Sequence, residues 1–247
     1  CNDYKIDYLK HKNVNSRDFL NIIKEYHCDL FVSMSFNQIF KSEIISLPKH
    51  SIINCHAGKL PFYRGRNVLN WVLINDEKEF GITVHYVDKE IDNGDIIIQR
   101  TFPITDKDNY SSLLEKSYKY CPELLYKAVK KIQNKKVEPI DQKSIHKFGF
   151  YCTRRRPGDE IINWNQTSRE IFNFIRALCN PGPKATTFLN GVEIKIDKAE
   201  FISNAPSYVD IPGTILKIND NEAIVKTLDS YIKLVDWKSD IPIKIGS

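Results

Sequence analysis

The chain has 247 residues, 42% apolar and 27% charged, so it can bury a core and is not disordered by composition. That length suits one α/β domain with an appendage and excludes two full enzymes. Lys+Arg 36 against Asp+Glu 31 gives +5, spread along the chain, which suits an anionic small substrate as well as a nucleic acid. With no run as long and apolar as a membrane span and no leader pattern, the expectation is a soluble cytoplasmic protein with no membrane partner.

In chain order, Ser16 is placed to cap a helix whose apolar residues Phe19, Ile22, Ile23 and Tyr26 recur at helical spacing. Leu30–Met34 reads as a buried parallel strand, Ile39–Leu47 as a helix stopped by Pro48, and Ser51–Asn54 as a second buried strand. This strand–helix–strand rhythm predicts an α/β sheet with right-handed crossovers. A loop, His56–Arg66, leads to a short helix carrying Leu69, Val72 and Leu73. Gly81–Val87 alternates like a strand, with Ile82, Val84 and Tyr86 on one side and Thr83, His85 and Val87 on the other. Asp92-Asn93-Gly94-Asp95 is a turn before a strand at Ile96–Ile98, and a long helix runs from about Tyr110 to Ile132, with Pro122 expected to kink or interrupt it.

After Lys147 the character changes. Thr167 and Glu170 form a capping box for a helix carrying Ile171, Phe172 and Ile175, ended by Pro181-Gly182-Pro183. Thr186–Leu189, Asn190-Gly191 and Val192–Ile196 predict a hairpin, followed by strands at Gly213–Ile218, Ala223–Lys226 and Tyr231–Val235. Two domains are therefore expected, 1–147 and 148–247. The six cysteines (Cys1, Cys28, Cys55, Cys121, Cys152, Cys179) contain no C-x-x-C pair, so reduced, mostly buried thiols are expected and no metal site.

Asn54 and His56 sit at the carboxyl end of a strand, where open α/β sheets place ligands, and their i, i+2 spacing turns both to one side. An amide donor beside an imidazole suits a reaction that develops an oxyanion and moves a proton. Asp92 or Asp95 could supply a carboxylate that fixes the imidazole tautomer.

The run Asn54-Cys55-His56 to Leu60-Pro61-Phe62-Tyr63-Arg64-Gly65-Arg66, continued by Asn70-Trp71, Gly81–His85 and Asp92-Asn93-Gly94, resembles the core of the folate-dependent formyltransferases over roughly residues 30–135. The resemblance implies a Rossmann-like formyltransferase domain with a parallel-rich sheet, followed by a small, mostly β (OB-like) subdomain. It implies transfer of a formyl group from N10-formyltetrahydrofolate to an amine without a metal. Asn54 would steady the tetrahedral oxyanion, His56 would act as acid/base, and Asp92, the acid opening D-x-G, would orient His56 and raise its pKa. The folate pocket would be lined by Met34, Phe36, Gln38, Ile39, Phe40, Arg66 and the loop of Asp88, Lys89, Glu90, Ile91 and Asp92. Members of this family begin with a strand and helix of about 30 residues ahead of the strand leading to the folate loop. Residue 1 is Cys and nothing before Ser16 supplies that unit, so a leading β–α unit is expected to be missing.

For the acceptor, Arg154-Arg155-Arg156 and Ile175–Pro183 resemble formyltransferases acting on nucleotide-linked amino sugars and on methionyl-tRNA. Gly65-Arg66 and Leu69-Asn70-Trp71 look most like the domain that formylates a UDP-linked amino arabinose. The expected substrate is a dTDP- or UDP-linked amino sugar, with Tyr63, Arg64, Trp71 and Arg154 as substrate contacts and a diphosphate held by Arg. A short β tail and lysines without interleaved aromatics argue against a nucleic acid partner. The tail could serve instead in a homodimer. Methionyl-tRNA formylation, hydrolysis of formyltetrahydrofolate by the same three residues, and a folate-binding module are the alternatives.

Overall fold

The computed structural model describes residues 6–219, 222–239 and 241–246. Cys1, and the expectation attached to it, lies outside them. In chain order the elements are α1 (Arg17–Lys24), β1 (Phe31–Met34), α2 (Ser42–Ile45), β2 (Ile52–His56), β3 (Arg64–Gly65), α3 (Val68–Ile74), β4 (Glu79–Tyr86) and β5 (Ile96–Pro103). Then follow α4 (Tyr110–Gln133), α5 (Gln142–Ile145), β6 (Tyr151–Cys152), α6 (Ser168–Leu178), β7 (Ala185–Leu189), β8 (Val192–Glu200), β9 (Ile215–Ile218), β10 (Ala223–Lys226) and β11 (Tyr231–Lys238). Two compact units interleave along the chain. One is Cys1–Arg64, Ile82–Arg100 and Cys121–Phe150; the other is Gly65–Gly81, Thr101–Tyr120 and Tyr151–Ser247.

In the first unit, Ser16 Oγ accepts from the Phe19 amide and starts α1, whose Leu20 joins Val14, Ile44 and Ile52 in a small core. The helix stops at Lys24, short of Tyr26. Three tightened bonds (Glu25 to Ile22, Tyr26 to Ile23, His27 to Lys24) and a left-handed His27 close it. The helix expected over Ile39–Leu47 shrinks to the single turn α2. Asn15 explains this: its Nδ2 donates to the Ile39 carbonyl at 2.8 Å and its Oδ1 accepts from the Lys41 amide at 2.8 Å, holding residues 39–41 extended.

The sheet order is β1-β2-β4-β5. β1 and β2 run parallel, with Met34 opposite Cys55, and β4 runs antiparallel to β2. This is the Rossmann-like part of the fold, carried by the β1–α2–β2 unit. Phe80 through His85 are buried on both faces of β4, so the alternation in the sequence separates two buried faces instead of a wet and a dry one. α4 is assigned as continuous helix through Pro122, so the expected interruption does not occur. Proline forgoes one bond to the carbonyl four residues back, and Tyr118, which carries that carbonyl, is exposed.

The second unit has its own core. Thr167 and Glu170 form the predicted capping box, and α6 lays Ile171, Phe172, Ile175 and Leu178 against Ile194, Ile196, Ile232 and Leu234. The sheet is antiparallel throughout, in the order β7-β8-β11-β10-β9, a half-barrel. Asn190 and Gly191 both take positive φ, as a tight hairpin turn between twisted strands requires. The same unit holds a charge cluster. Arg169 donates to Asp76 and Asp106 at 2.6 Å each, and Arg176, 6% exposed, reaches the Thr105 and Asp108 carbonyls. Burial alone would raise Asp76, but hydrogen bonds from Arg169 and Lys78 hold it well below the usual carboxylate range. Asp106 is lowered chiefly by its bond to Arg169.

Candidate active site

The β2–β4 register decides the site. Asn54 lies opposite His85 and His56 opposite Thr83, and paired residues on antiparallel strands share a face. One face of two adjacent strands therefore presents Asn54, His56, Thr83 and His85. The turn after β4 brings Asp92 over them. Its Oδ2 is 3.5 Å from His56 Nδ1, and its Oδ1 is 3.5 Å from His85 Nε2 and 3.3 Å from Asn54 Nδ2. The three residues named from the sequence converge here.

Each ring is oriented by a carbonyl. His56 Nε2 is 2.7 Å from the Tyr63 oxygen, which can only accept, so Nε2 carries the proton and Nδ1 faces Asp92. His85 Nδ1 likewise donates to the Tyr86 oxygen at 2.7 Å, and its Nε2 accepts from Asn54 Nδ2 at 3.2 Å. Tyr63 and Asp92 both adopt positive φ, an uncommon backbone for either residue. Two glycines make room. A methyl on Gly58 would collide with His56 Nε2 and the Tyr63 oxygen, and one on Gly94 with the Tyr86 oxygen. Thr83 Oγ1 donates to the Gly58 oxygen at 2.7 Å and accepts from Gln99 Nε2, which fastens the loop after β2 to the sheet.

Burial is the largest influence on His56 and lowers its pKa below the ordinary imidazole range. Asp92 and the Tyr63 carbonyl raise it, and His85 lowers it further. Asp92 thus acts in the expected direction, but the net result is the opposite of the expected rise. The ring rests neutral. At 3.5 Å the Nδ1–Asp92 separation is longer than a hydrogen bond, as befits an unprotonated nitrogen beside a carboxylate.

The other residues named from the sequence divide into walls and supports. Met34, the last residue of β1, and Phe36 just past it are exposed, with Phe36 stacked on Phe40 at 5.2 Å, and Ile39 is exposed as well. Gln38 accepts from the Val14 amide, and Asp88 closes its own loop by accepting from Glu90 N and Asn93 Nδ2. Lys89, Glu90 and Ile91 are exposed. Tyr63 and Arg64 are buried, 5% and 4% exposed; Tyr63 serves His56 through its backbone, and Arg64 donates to Gln142. In the second unit, Arg66 is exposed and its amide meets the Cys152 oxygen, while Trp71 Nε1 donates to the Thr153 oxygen. Arg155 lies over the rings of Trp71 and Phe174, whereas Arg154 and Arg156 are exposed. Cys55, between Asn54 and His56, turns to the opposite face and is no nucleophile. Its thiol donates to the Cys121 backbone oxygen at 3.7 Å, and the Cys121 side chain together with burial pushes its pKa up.

Two residues escaped the sequence reading. Thr83-x-His85 repeats the i, i+2 spacing of Asn54-x-His56, which was a legible signal, but only the register reveals that the two pairs share a face. Gln142 had no local signal at all. Among the described residues no group of three or more His, Cys, Asp or Glu is arranged to hold a metal ion.

A sequence profile described as Formyl transferase matches residues 2–129, and one described as Formyl transferase, C-terminal domain matches residues 155–240. The chain belongs to the formyl transferase family. As a member it is an enzyme of folate-dependent formyl transfer. It is 36% identical over 216 residues to the bifunctional polymyxin resistance protein ArnA of Wigglesworthia glossinidia brevipalpis, which covers 87% of this chain and 32% of that protein. It is 33% identical over 232 residues to the methionyl-tRNA formyltransferase of Caldanaerobacter subterraneus subsp. tengcongensis, covering 94% and 73%. Among solved structures, WlaRD, a sugar 3N-formyl transferase with dTDP and 5-N-formyl-THF, superimposes with a TM-score of 0.68 at 26% identity over 90% of this chain and 77% of that one. The N-formyltransferase of Helicobacter canadensis, complexed with folinic acid and dTDP-3-aminofucose, gives 0.64 at 26% identity over 84% and 73%. No described helix is long and apolar enough to cross a membrane.

Proposed function

We propose that this formyltransferase moves the formyl group of N10-formyltetrahydrofolate to the amine of a dTDP- or UDP-linked amino sugar. The observation that carries the chemistry is the convergence of Asn54, His56 and Asp92 on one face of β2 and β4. The apolar wall of Met34, Phe36, Ile39 and Phe40 at the end of β1 suits a flat pterin ring. N10-formyltetrahydrofolate supplies an activated formyl carbon with a nitrogen leaving group.

The chain's residues then divide the work. Asn54 Nδ2 has two N–H groups; His85 holds one, and the other leaves its 3.3 Å contact with Asp92 to donate to the formyl oxygen as charge develops there. His56, neutral and anchored through Nε2, takes the proton of the attacking amine on Nδ1 and returns it to the departing nitrogen. Asp92 stabilises the imidazolium formed between these two transfers. His85 aims the Asn54 amide. Residues 1–147 form the catalytic domain in this reading and 148–247 a C-terminal region.

The sugar acceptor is supported by WlaRD, described as a sugar 3N-formyl transferase, by the Helicobacter canadensis N-formyltransferase complexed with dTDP-3-aminofucose, and by the mild net charge. A second reading, methionyl-tRNA, is favoured by the 33% identity that extends over 94% of the chain. Incubation with N10-formyltetrahydrofolate and a panel of nucleotide amino sugars beside methionyl-tRNA, read by mass spectrometry, separates the two. Formylated sugar is expected; label on the tRNA alone would sink the sugar reading. Formate released without an acceptor would mark a hydrolase, and folate binding without turnover a binding module. A homodimer is proposed as well, with sedimentation velocity as its test.

A further inference from the structure

Both supports of His56 lead to one side chain. Tyr63, whose carbonyl holds Nε2, is the neighbour of Arg64, and Arg64 directs Nε and Nη2 to Gln142 Oε1 at 3.0 and 2.8 Å. On its other end, Gln142 Nε2 donates to the Asp92 carbonyl at 2.9 Å and the Gly94 carbonyl at 2.8 Å, the two ends of the turn that carries the carboxylate. The amide is 1% exposed, and all four of its hydrogen-bonding positions are used. Its own backbone is fixed. Ile140 exchanges both bonds with Ile96, the first residue of β5, and Asp141 caps the turn of α5 by accepting from the Lys143 amide. Two chain segments with left-handed residues, at Tyr63 and Asp92, are thereby tied through a single primary amide.

We propose that Gln142 is a positioning residue for His56, a clamp that sets the Tyr63 carbonyl and the Asp92 carboxylate on opposite nitrogens of the imidazole. The inference rests on the reading of His56 as the group that moves the proton. The side-chain hydrogen bonds of Gln142 go to Arg64 and to the Asp92 and Gly94 carbonyls, not to the imidazole. It acts by fixing which nitrogen of His56 is protonated and which confronts Asp92. A buried amide used only for packing would have no cause to join these two segments. An apolar side chain in its place would leave two carbonyls and a guanidinium without these partners.

The test compares the wild-type protein with Gln142→Met and Gln142→Glu. The second variant keeps an acceptor for Arg64 but has no N–H for the two carbonyls, so it serves if the first fails to fold. Nitrogen-15 NMR of the histidine rings, with His56 assigned from His56→Gln, reads the tautomer directly. In the wild type, His56 should be the pure Nε2–H form; in the folded variants it should become a mixture of tautomers. The formyl-transfer kcat should fall about 10- to 100-fold with little change in KM for the formyl donor, as expected when a reacting group is misplaced without loss of binding. A pure Nε2–H tautomer with wild-type kcat in a folded variant would overturn the clamp. If the wild type itself transfers no formyl group, the functional reading fails, while the tautomer comparison still decides the role of Gln142.

Discussion

Two polar clusters, a buried one in the first compact unit and a partly exposed one in the second, are built on opposite plans. Around Asp92 the contacts to His56, His85 and Asn54 are 3.3–3.5 Å, and burial leaves His56 with a depressed pKa. Around Asp76 and Asp106 the contacts from Arg169 are mostly 2.6–3.0 Å, and both carboxyls are held as firm anions. In the first cluster, one carboxylate faces two imidazoles, and His56 is one proton away from a different charge. In the second, permanent cations meet permanent anions, so nothing is left to titrate near neutrality. Loose pairing is the condition for moving a proton, and tight pairing the condition for holding α6 to the loops it touches.

The largest effect should come from the loose cluster. His56→Ala and Asn54→Ala are each expected to lower kcat by about 10²–10⁴-fold while circular dichroism and Tm stay near wild type. His56→Ala turning over at a near wild-type rate would refute the assignment. Next comes His85→Ala, which takes the acceptor from the Asn54 amide and the donor from the Tyr86 carbonyl. Steady-state kinetics should give a kcat loss of about tenfold or more, the scale of one hydrogen bond to a group being lost. Unchanged kcat would reduce His85 to a packing residue.

The comparison also predicts two pH responses. His56 has a folded pKa below its unfolded value of about 6.5, so the unfolded chain binds its proton first. Its contribution to stability is present above that value and lost as pH falls towards the folded pKa. The neutral base likewise persists below pH 6.5, so the acidic limb of kcat/KM should lie below the ordinary imidazole range. A limb above about pH 7 would contradict the burial argument. In the tight cluster, Asp76 and Asp106 also have depressed folded pKa values, so their contribution is present above about pH 4 and lost at more acid pH.

Arg169→Met should produce the smallest change in activity and a clear one in stability. It takes the main partner from Asp76 and Asp106, both partly open to water, at a cost of about 1 kcal/mol. Thermal melts should show a drop of about 2–4 °C for each kcal/mol, less acid dependence than wild type, and unaltered kcat at 25 °C. Loss of kcat without loss of Tm would reverse the roles assigned to the two clusters.

Local rules in the sequence are enough for the Ser16 cap, the Thr167–Glu170 box, the Asn190-Gly191 hairpin and the shared strand face of Asn54 and His56, because each depends on neighbours a few residues apart. The Asp88–Asp92 loop and Met34 and Phe36 enter as candidates through resemblance, not periodicity. What went astray depended on distant partners. Asn15 held 39–41 extended against a helical pattern, and burial outweighed Asp92 at His56.

The sequence by itself determined the residue types and their order: an amide and an imidazole on one strand and a carboxylate in a later turn, with glycines where backbone must approach closely. Only the tertiary structure decided the antiparallel register that faces His85 to Asn54, the carbonyls that choose each tautomer, and the place of Gln142 between Arg64 and the Asp92 turn. The reason is physical. Hydrogen bonds that span 31, 50 or 78 residues are selected by the packing that makes them possible, and no short stretch of chain carries that information.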